Sequence, residues 1–74
     1  MEKGVIIKKE NYGTKVVAVI KTSIEEKHVF ASLESMSSMV FEDLDDCEVD
    51  DKVKFLSSFA GDRDGEELNF IEKL

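Results

Sequence analysis

The stretch TKVVAVIKT, residues 14–22, decides the fold class of this chain. It is dominated by Val, Ile and Thr, whose branched side chains restrict χ1 and favour a pleated strand over a helix. The preceding GVIIKK, residues 4–9, has the same character. Between them, Asn11 and Gly13 tolerate the positive φ angles of a tight turn. The first part of the chain therefore predicts strand, turn and central strand.

Three more strands follow the same pattern. HVFASL, residues 28–33, is apolar and aromatic, and KVKFLSSF, residues 52–59, alternates between apolar and polar side chains. EELNFIE, residues 66–72, completes a second hairpin after a long polar loop at residues 60–65. Residues 34–51 lack period-2 alternation, and we predict a loop or a short helical turn there.

Five short strands expose their edges unless the sheet closes on itself. We therefore predict an all-β fold, a five-stranded antiparallel barrel of the OB-fold type, with an SH3-like barrel as the alternative. The chain of 74 residues, 42% of them hydrophobic and 36% charged, is too short for two cores and too mixed for a disordered tail. Residues 1–74 are expected to form one domain.

Cysteine and histidine usage limits the chemistry of the chain. Cys47 is the only cysteine and His28 the only histidine, so neither an intrachain disulfide nor a Cys/His zinc cluster can form. We expect no metal, no cofactor and a reducing, cytoplasmic environment inside the cell. The longest apolar runs are far below the roughly 20 residues that span a bilayer, so we expect no membrane association.

Catalytic motifs are missing from the sequence. It contains no G-x-S-x-G, P-loop, G-x-G-x-x-G or H-E-x-x-H pattern. His28 and Cys47 as base and nucleophile would also need an orienting group and an oxyanion site, which the spacing does not supply. We expect a binding protein and not an enzyme.

Charge is distributed unevenly along the chain. The net charge is −7, which argues against non-specific phosphate binding by the whole domain. Residues 1–33 carry a net charge of +2, whereas residues 34–74 carry −9. One half of the chain is mildly basic and the other strongly acidic.

The layout resembles the cold-shock domain family over nearly the whole chain. KGVI, residues 3–6, resembles the K-G-x-V of that family's first strand, and residues 12–13 fall near its K-G-F-G-F-I motif. HVFASLESM, residues 28–36, resembles the third-strand motif D-V-F-V-H-F-S-A-I. FEDL at 41–44 and VDDKVKF at 49–55 resemble the F-x-x-L-x-x-G-x-x-V-x-F of the long loop and fourth strand.

The resemblance implies single-strand binding by base stacking on aromatic side chains of the first three strands. Most of those aromatics are missing. Residues 8–9 are lysines where the family has Trp-Phe, and Thr14 and Val16 stand where its second-strand phenylalanines project. Only Phe30 and Tyr12 remain for stacking, and each lost stack removes about 1–3 kcal/mol. The chain resembles a degenerate member of the family.

Degenerate cold-shock modules occur in larger RNA-regulatory proteins, germline RNA helicases among them. The resemblance therefore implies a binding module in RNA metabolism, which mainly docks a protein within ribonucleoproteins and binds single-stranded RNA weakly or not at all. Separately, we expect the domain to be a monomer. Two alternatives remain. One is a genuine single-stranded nucleic-acid-binding domain, and the other an inhibitor whose acidic half mimics nucleic acid.

The basic half predicts a candidate nucleic-acid surface. Its lysines and aromatic side chains are expected to guide a phosphate backbone and stack its bases. In the alternative interpretation, the lysines only keep strand edges from pairing with other chains. The candidate residues are Lys8, Lys9, Tyr12, Lys15 and Phe30.

The acidic segment predicts a candidate protein-docking surface. Seven carboxylates within residues 42–51 either attract a basic partner by electrostatic steering or merely keep the segment solvated. Its apolar side chains either cap the barrel as core or face a partner, a use for which methionine is well suited. The candidate residues are Met36, Met39, Phe41, Asp45, Asp46, Asp50 and Asp51.

Overall fold

The computed structural model describes residues 1–34 and 38–74, except for the side chains of residues 38 and 60–62. Hydrogen bonds join its strands in the order β1-β2-β3-β5-β4 and close the barrel between β4 and β1. The predicted five-stranded barrel is confirmed. In chain order the elements are β1 (Glu2–Asn11), β2 (Lys15–Lys21), β3 (Glu26–Ser32), α1 (Ser38–Asp45), β4 (Lys52–Asp62) and β5 (Gly65–Lys73).

One of the five strand pairings is parallel, so the barrel is mixed and not wholly antiparallel as expected. β5 pairs with β3 in parallel through Val29 opposite Glu66 and Phe30 opposite Glu67. The other four pairings are antiparallel. β3 therefore runs in the direction of β1, which it reaches through β2, and β5 also runs in the direction of β1, which it reaches through β4. This order, with a helix between β3 and β4, is consistent with an OB-like fold and disfavours the SH3-like alternative.

The barrel interior is filled by alternate residues of the strands. In β2 these are Val16, Ala18 and Ile20, as the alternation of the central strand requires. One end of the barrel is closed by α1, whose apolar side chains belong to the same buried cluster. They are Val40, Phe41 and Leu44. This packing supports the interpretation in which the apolar residues of the connection cap the barrel.

Two connections differ from the sequence-based expectation. The segment after β3 forms an eight-residue helix instead of a loop or single turn, because residues 40, 41 and 44 recur on one helical face and bury it. The expected long loop of the second hairpin is a turn of two residues, Arg63 and Asp64. Gly65 makes the short turn feasible, since its φ of 112° is readily adopted only by glycine. No helix in the described part of the chain is long and apolar enough to span a bilayer.

Candidate binding surfaces

A cleft of about 230 Å³ lies on the outer face of β1, β2 and β3. Its apolar floor includes Val17 and Val19, which alternate with the buried residues of β2 and therefore point outward. The β4–β5 turn forms one wall. Polar and aromatic side chains surround the floor, namely Lys8, Glu10, Tyr12, His28, Arg63 and Asp64.

Tyr12 is the exposed aromatic side chain of this cleft. It is 64% exposed, and its hydroxyl donates a hydrogen bond to the Glu10 carboxylate. Lys8 Nζ lies 3.3 Å from the same carboxylate. The hydrogen bond from Tyr12, assisted by Lys8, lowers the pKa of Glu10, and the same hydrogen bond raises the pKa of Tyr12. The predicted site residues Lys8 and Tyr12 thus share a cleft, but an acidic side chain engages both.

Phe30 is covered although it lies on the outer face of β3. Its neighbours Val29 and Ala31 are in the interior cluster, to which Phe30 does not belong. The ring is nevertheless only 5% exposed. Lys15 Nζ lies 4.5 Å from the ring centroid and 2.6 Å from Asp64 Oδ2 at the β4–β5 turn. A base can stack on Phe30 only if this cover moves.

Lys9 connects β1 to the end of α1. Its ammonium group donates hydrogen bonds to the backbone carbonyls of Asp45, at 2.6 Å, and Cys47, at 2.5 Å. These carbonyls lie at the negative end of the helix dipole, which a cation stabilises. The predicted phosphate contact at Lys9 therefore competes with a structural one.

The acidic segment is divided between structural and uncommitted carboxylates. Asp45 accepts a hydrogen bond from Asn11 Nδ2 at 2.7 Å, and Asp51 accepts one from the Glu48 backbone N–H at 2.7 Å. Asp50 adopts a positive φ of 81°, and its N–H bonds to the carbonyl of Ile6. These contacts fix the loop after α1 against β1.

The uncommitted carboxylates lie on the exposed side of α1 and at the turn residue that follows it. Asp43 and Asp46 are exposed, and neither forms an ion pair within the described part of the chain. Met39 is exposed on the same helix, whereas Phe41 is buried in the core, which removes Phe41 from the predicted docking surface. Met36 lies outside the described residues.

A groove of about 330 Å³ separates α1 from β5. The groove is lined by three carboxylates and one ammonium group together with apolar side chains, namely Asp43, Asp46, Glu72, Lys73, Phe70, Ile71 and Cys47. The Cys47 thiol is buried at the base of the groove, where burial raises its pKa. It is therefore a packing residue and not a reactive thiolate.

Several residues of these surfaces were not predicted from the sequence. His28, Arg63 and Asp64 of the cleft are brought together by the closure of the barrel between β3 and β5. The outward orientation of Val17 and Val19 could have been predicted, because they alternate with the interior residues of the central strand.

A second unpredicted cluster lies at the barrel end opposite α1. Lys27 Nζ is 2.7 Å from Glu2 Oε2 and 3.6 Å from Glu66 Oε1, and Ser57 Oγ hydrogen-bonds to Glu66 at 2.8 Å. These side chains join four strands across the otherwise open end of the barrel. The hydrogen bond with Glu2 raises the pKa of Lys27 above its ordinary value of 10.5.

Lys27 gives the domain a predictable pH dependence. A cation with a raised pKa stabilises the folded state fully below its unfolded pKa, and this stabilisation is lost as the pH rises through the folded pKa. The difference in unfolding free energy between wild type and Lys27→Met should therefore be constant between about pH 6 and 9, where the partner carboxylates are ionised, and shrink above about pH 10.5. Urea unfolding at each pH measures it.

Lys21→Met is the matched control, because Lys21 is an exposed lysine at the end of β2. We expect its unfolding free energy to stay within about 0.5 kcal/mol of wild type at every pH. A Lys27→Met difference that did not change with pH would contradict the assigned role of the ammonium group.

Comparison of the chain with protein-family models, with curated proteins and with solved structures finds no match. Among the side chains that the structure describes, which exclude those of residues 35–38 and 60–62, no three His, Cys, Asp or Glu side chains converge as metal ligands would. The fold and its surfaces define a small OB-like barrel with a cleft on its β1-β2-β3 face and an acidic helix face on another side.

Proposed function

We propose that this chain is a degenerate cold-shock-type binding module of RNA metabolism, which mainly docks a protein within ribonucleoproteins and has weak or no affinity for single-stranded RNA. The observation that carries the proposal is a contrast between two surfaces. On the predicted nucleic-acid surface, the cations are engaged within the fold. On the α1 surface, which consists of Met39, Asp43 and Asp46, the two carboxylates are exposed and form no ion pair among the described residues.

The engaged cations weaken the case for phosphate binding. Lys8 and Lys15 lie beside carboxylates, and Lys9 is bonded to two backbone carbonyls. A phosphate group would have to displace these partners, which reduces the gain from each contact. Base stacking is also limited, since Phe30 is covered and Tyr12 alone would supply about 1–3 kcal/mol.

The α1 surface suits a basic protein segment. Asp43 and Asp46 present charge to solvent, and the exposed Met39 offers an adaptable apolar contact on the same helix. Complementary charge mainly accelerates association and selects the partner. The attraction is screened beyond about 8 Å at physiological salt, so docking requires direct contact with this face.

The proposal predicts that charge on the α1 face captures a basic segment. Titration of the domain with a ten-residue Lys/Arg-rich peptide at low salt should give an affinity that the double variant Asp43→Asn/Asp46→Asn weakens by about five- to tenfold. Isothermal titration calorimetry measures the loss. Asp45 and Asp51 are left intact because their carboxylates hold the loop.

The matched control for this prediction is Glu25→Gln/Glu26→Gln, which removes the same charge from exposed positions at the β2–β3 turn. This control should weaken peptide binding by less than about twofold. Equal losses in the two variants would show that only net charge attracts the peptide, and the docking face would then be withdrawn.

A second candidate function, single-strand recognition, is favoured by the exposed Tyr12 at the edge of the 230 Å³ cleft. Arg63 and His28 line the same cleft and could contact phosphate or base. Saturable binding of an eight-nucleotide RNA at physiological salt, lost in Tyr12→Ala, would establish this candidate in place of protein docking.

A further inference from the structure

We propose that Asp64, at the β4–β5 turn, is a built-in anion that occupies the phosphate position beside Phe30 and so masks a single-nucleotide stacking site. The turn then acts as an autoinhibitory latch. The inference deepens the proposed function, on which it rests, because it gives a physical reason for weak RNA binding.

The Phe30 ring lies on the outer face of the barrel. Strand alternation directs Val29 and Ala31 into the barrel and Phe30 to the outer face, opposite the outward-facing Val17 of β2. A flat aromatic ring on the outer face of an OB-like sheet has the form of a stacking platform. The ring is nevertheless only 5% exposed, so other side chains cover it.

Lys15 covers part of this ring. Lys15 Nζ lies over the ring at 4.5 Å from its centroid, within the range of a cation–π contact. The same ammonium group is 2.6 Å from Asp64 Oδ2. A cation beside an aromatic ring is the pair of groups that holds a nucleotide, with the phosphate on the cation and the base on the ring.

The β4–β5 turn is held close against β3. Gly65 packs so closely on β3 that an added β-carbon would lie 2.2 Å from the carbonyl oxygen of His28. This contact anchors the two-residue turn over the cleft. The carboxylate of Asp64 thereby replaces the phosphate oxygen on Lys15 and repels an incoming phosphate.

The latch is weak enough to open. Lys15 and Asp64 are each partly exposed, and ion pairs of this kind are screened by water. A strand that bound Phe30 would have to move the Lys15 side chain and separate it from Asp64. Removal of the Asp64 charge should therefore increase affinity for RNA, although it removes a contact within the protein.

The test compares two substitutions that change the net charge equally. Asp64→Asn keeps the size and turn preference of the side chain, whereas Asp46→Asn removes an exposed charge just after α1. With a fluorescent oligouridine of eight nucleotides at low salt, Asp64→Asn should tighten RNA binding roughly fivefold, whereas Asp46→Asn should tighten it by less than twofold. Fluorescence anisotropy measures both affinities.

A further variant tests the role of the ring. Adding Phe30→Leu to Asp64→Asn keeps an apolar side chain but removes the aromatic face, so the fivefold gain should disappear. If Asp64→Asn and Asp46→Asn tightened RNA binding equally, the proposal of a latch would be wrong. It would also be wrong if neither variant bound RNA detectably. The peptide titration is independent of this result, so failure of the latch leaves protein docking to be judged separately.

Discussion

Gly65→Ala is expected to lower the free energy of unfolding by about 3 kcal/mol or more, since two penalties add. The residue has a φ of 112°, which an L-amino acid rarely adopts. Its new β-carbon would also lie 2.2 Å from the His28 carbonyl oxygen, and that atom belongs to the backbone of β3. Relief of the clash requires the β3–β5 pairing to open.

Loss of this pairing would open the barrel, because the parallel β3–β5 pairing is one of the five that form the closed sheet. A domain of this length has a total stability of about 4–11 kcal/mol, so the substitution removes a large part of it. Urea unfolding followed by circular dichroism measures the loss.

Gly13→Ala is the matched control for Gly65→Ala. Gly13 also has a positive φ, of 91°, but an added β-carbon would meet no atom within 4 Å. Only the cost of the left-handed conformation remains, about 1–2 kcal/mol. Equal losses for the two alanine variants would mean that the close approach to His28 has no role in barrel closure.

Phe55→Ala should cost about 3–5 kcal/mol, the range for a large buried aromatic side chain. Phe55 is 0% exposed and belongs to the interior cluster. It pairs with Ile71 of β5 and Glu2 of β1, so its ring lies at the junction of three strands. Truncation would leave a cavity there that the surrounding strands cannot fill without moving.

Phe59→Ala provides the comparison for Phe55 within the same strand. Phe59 is 86% exposed, and its truncation should change the unfolding free energy by no more than about 0.5 kcal/mol. Thermal or urea unfolding of both variants distinguishes them. A loss at Phe59 as large as that at Phe55 would contradict the assignment of the barrel interior.

The strands could be predicted because the alternation of buried and exposed side chains is visible within each short segment of sequence. Residues 14–22 alternate between interior and outer face, and the structure places Val16, Ala18 and Ile20 inside. The helix was harder to predict, since α1 has only eight residues and its apolar positions lie among carboxylates. Its stability comes from packing Leu44 and its neighbours on the barrel and not from intrinsic helix propensity.

The pairing of charges was not predictable from the sequence. Lys15 and Asp64 are 49 residues apart in the chain and meet only because β5 returns beside β3. The same applies to Lys9, which reaches carbonyls at the end of α1. The lysines in the first half of the sequence therefore predict a phosphate-binding surface. In the folded chain, however, Lys9 and Lys15 bind carbonyl and carboxylate groups of the protein.

The most direct test of the account follows backbone amide signals of the labelled domain by NMR at physiological salt. The Lys/Arg-rich peptide should shift amides of residues 39–51, on α1 and the loop after it, in a saturable way, and the eight-nucleotide RNA should leave the β1-β2-β3 cleft unshifted or weakly shifted. Saturable RNA shifts centred on Lys8, Tyr12 and Phe30, with none from the peptide at residues 39–51, would contradict the account and make this barrel a single-strand-binding domain.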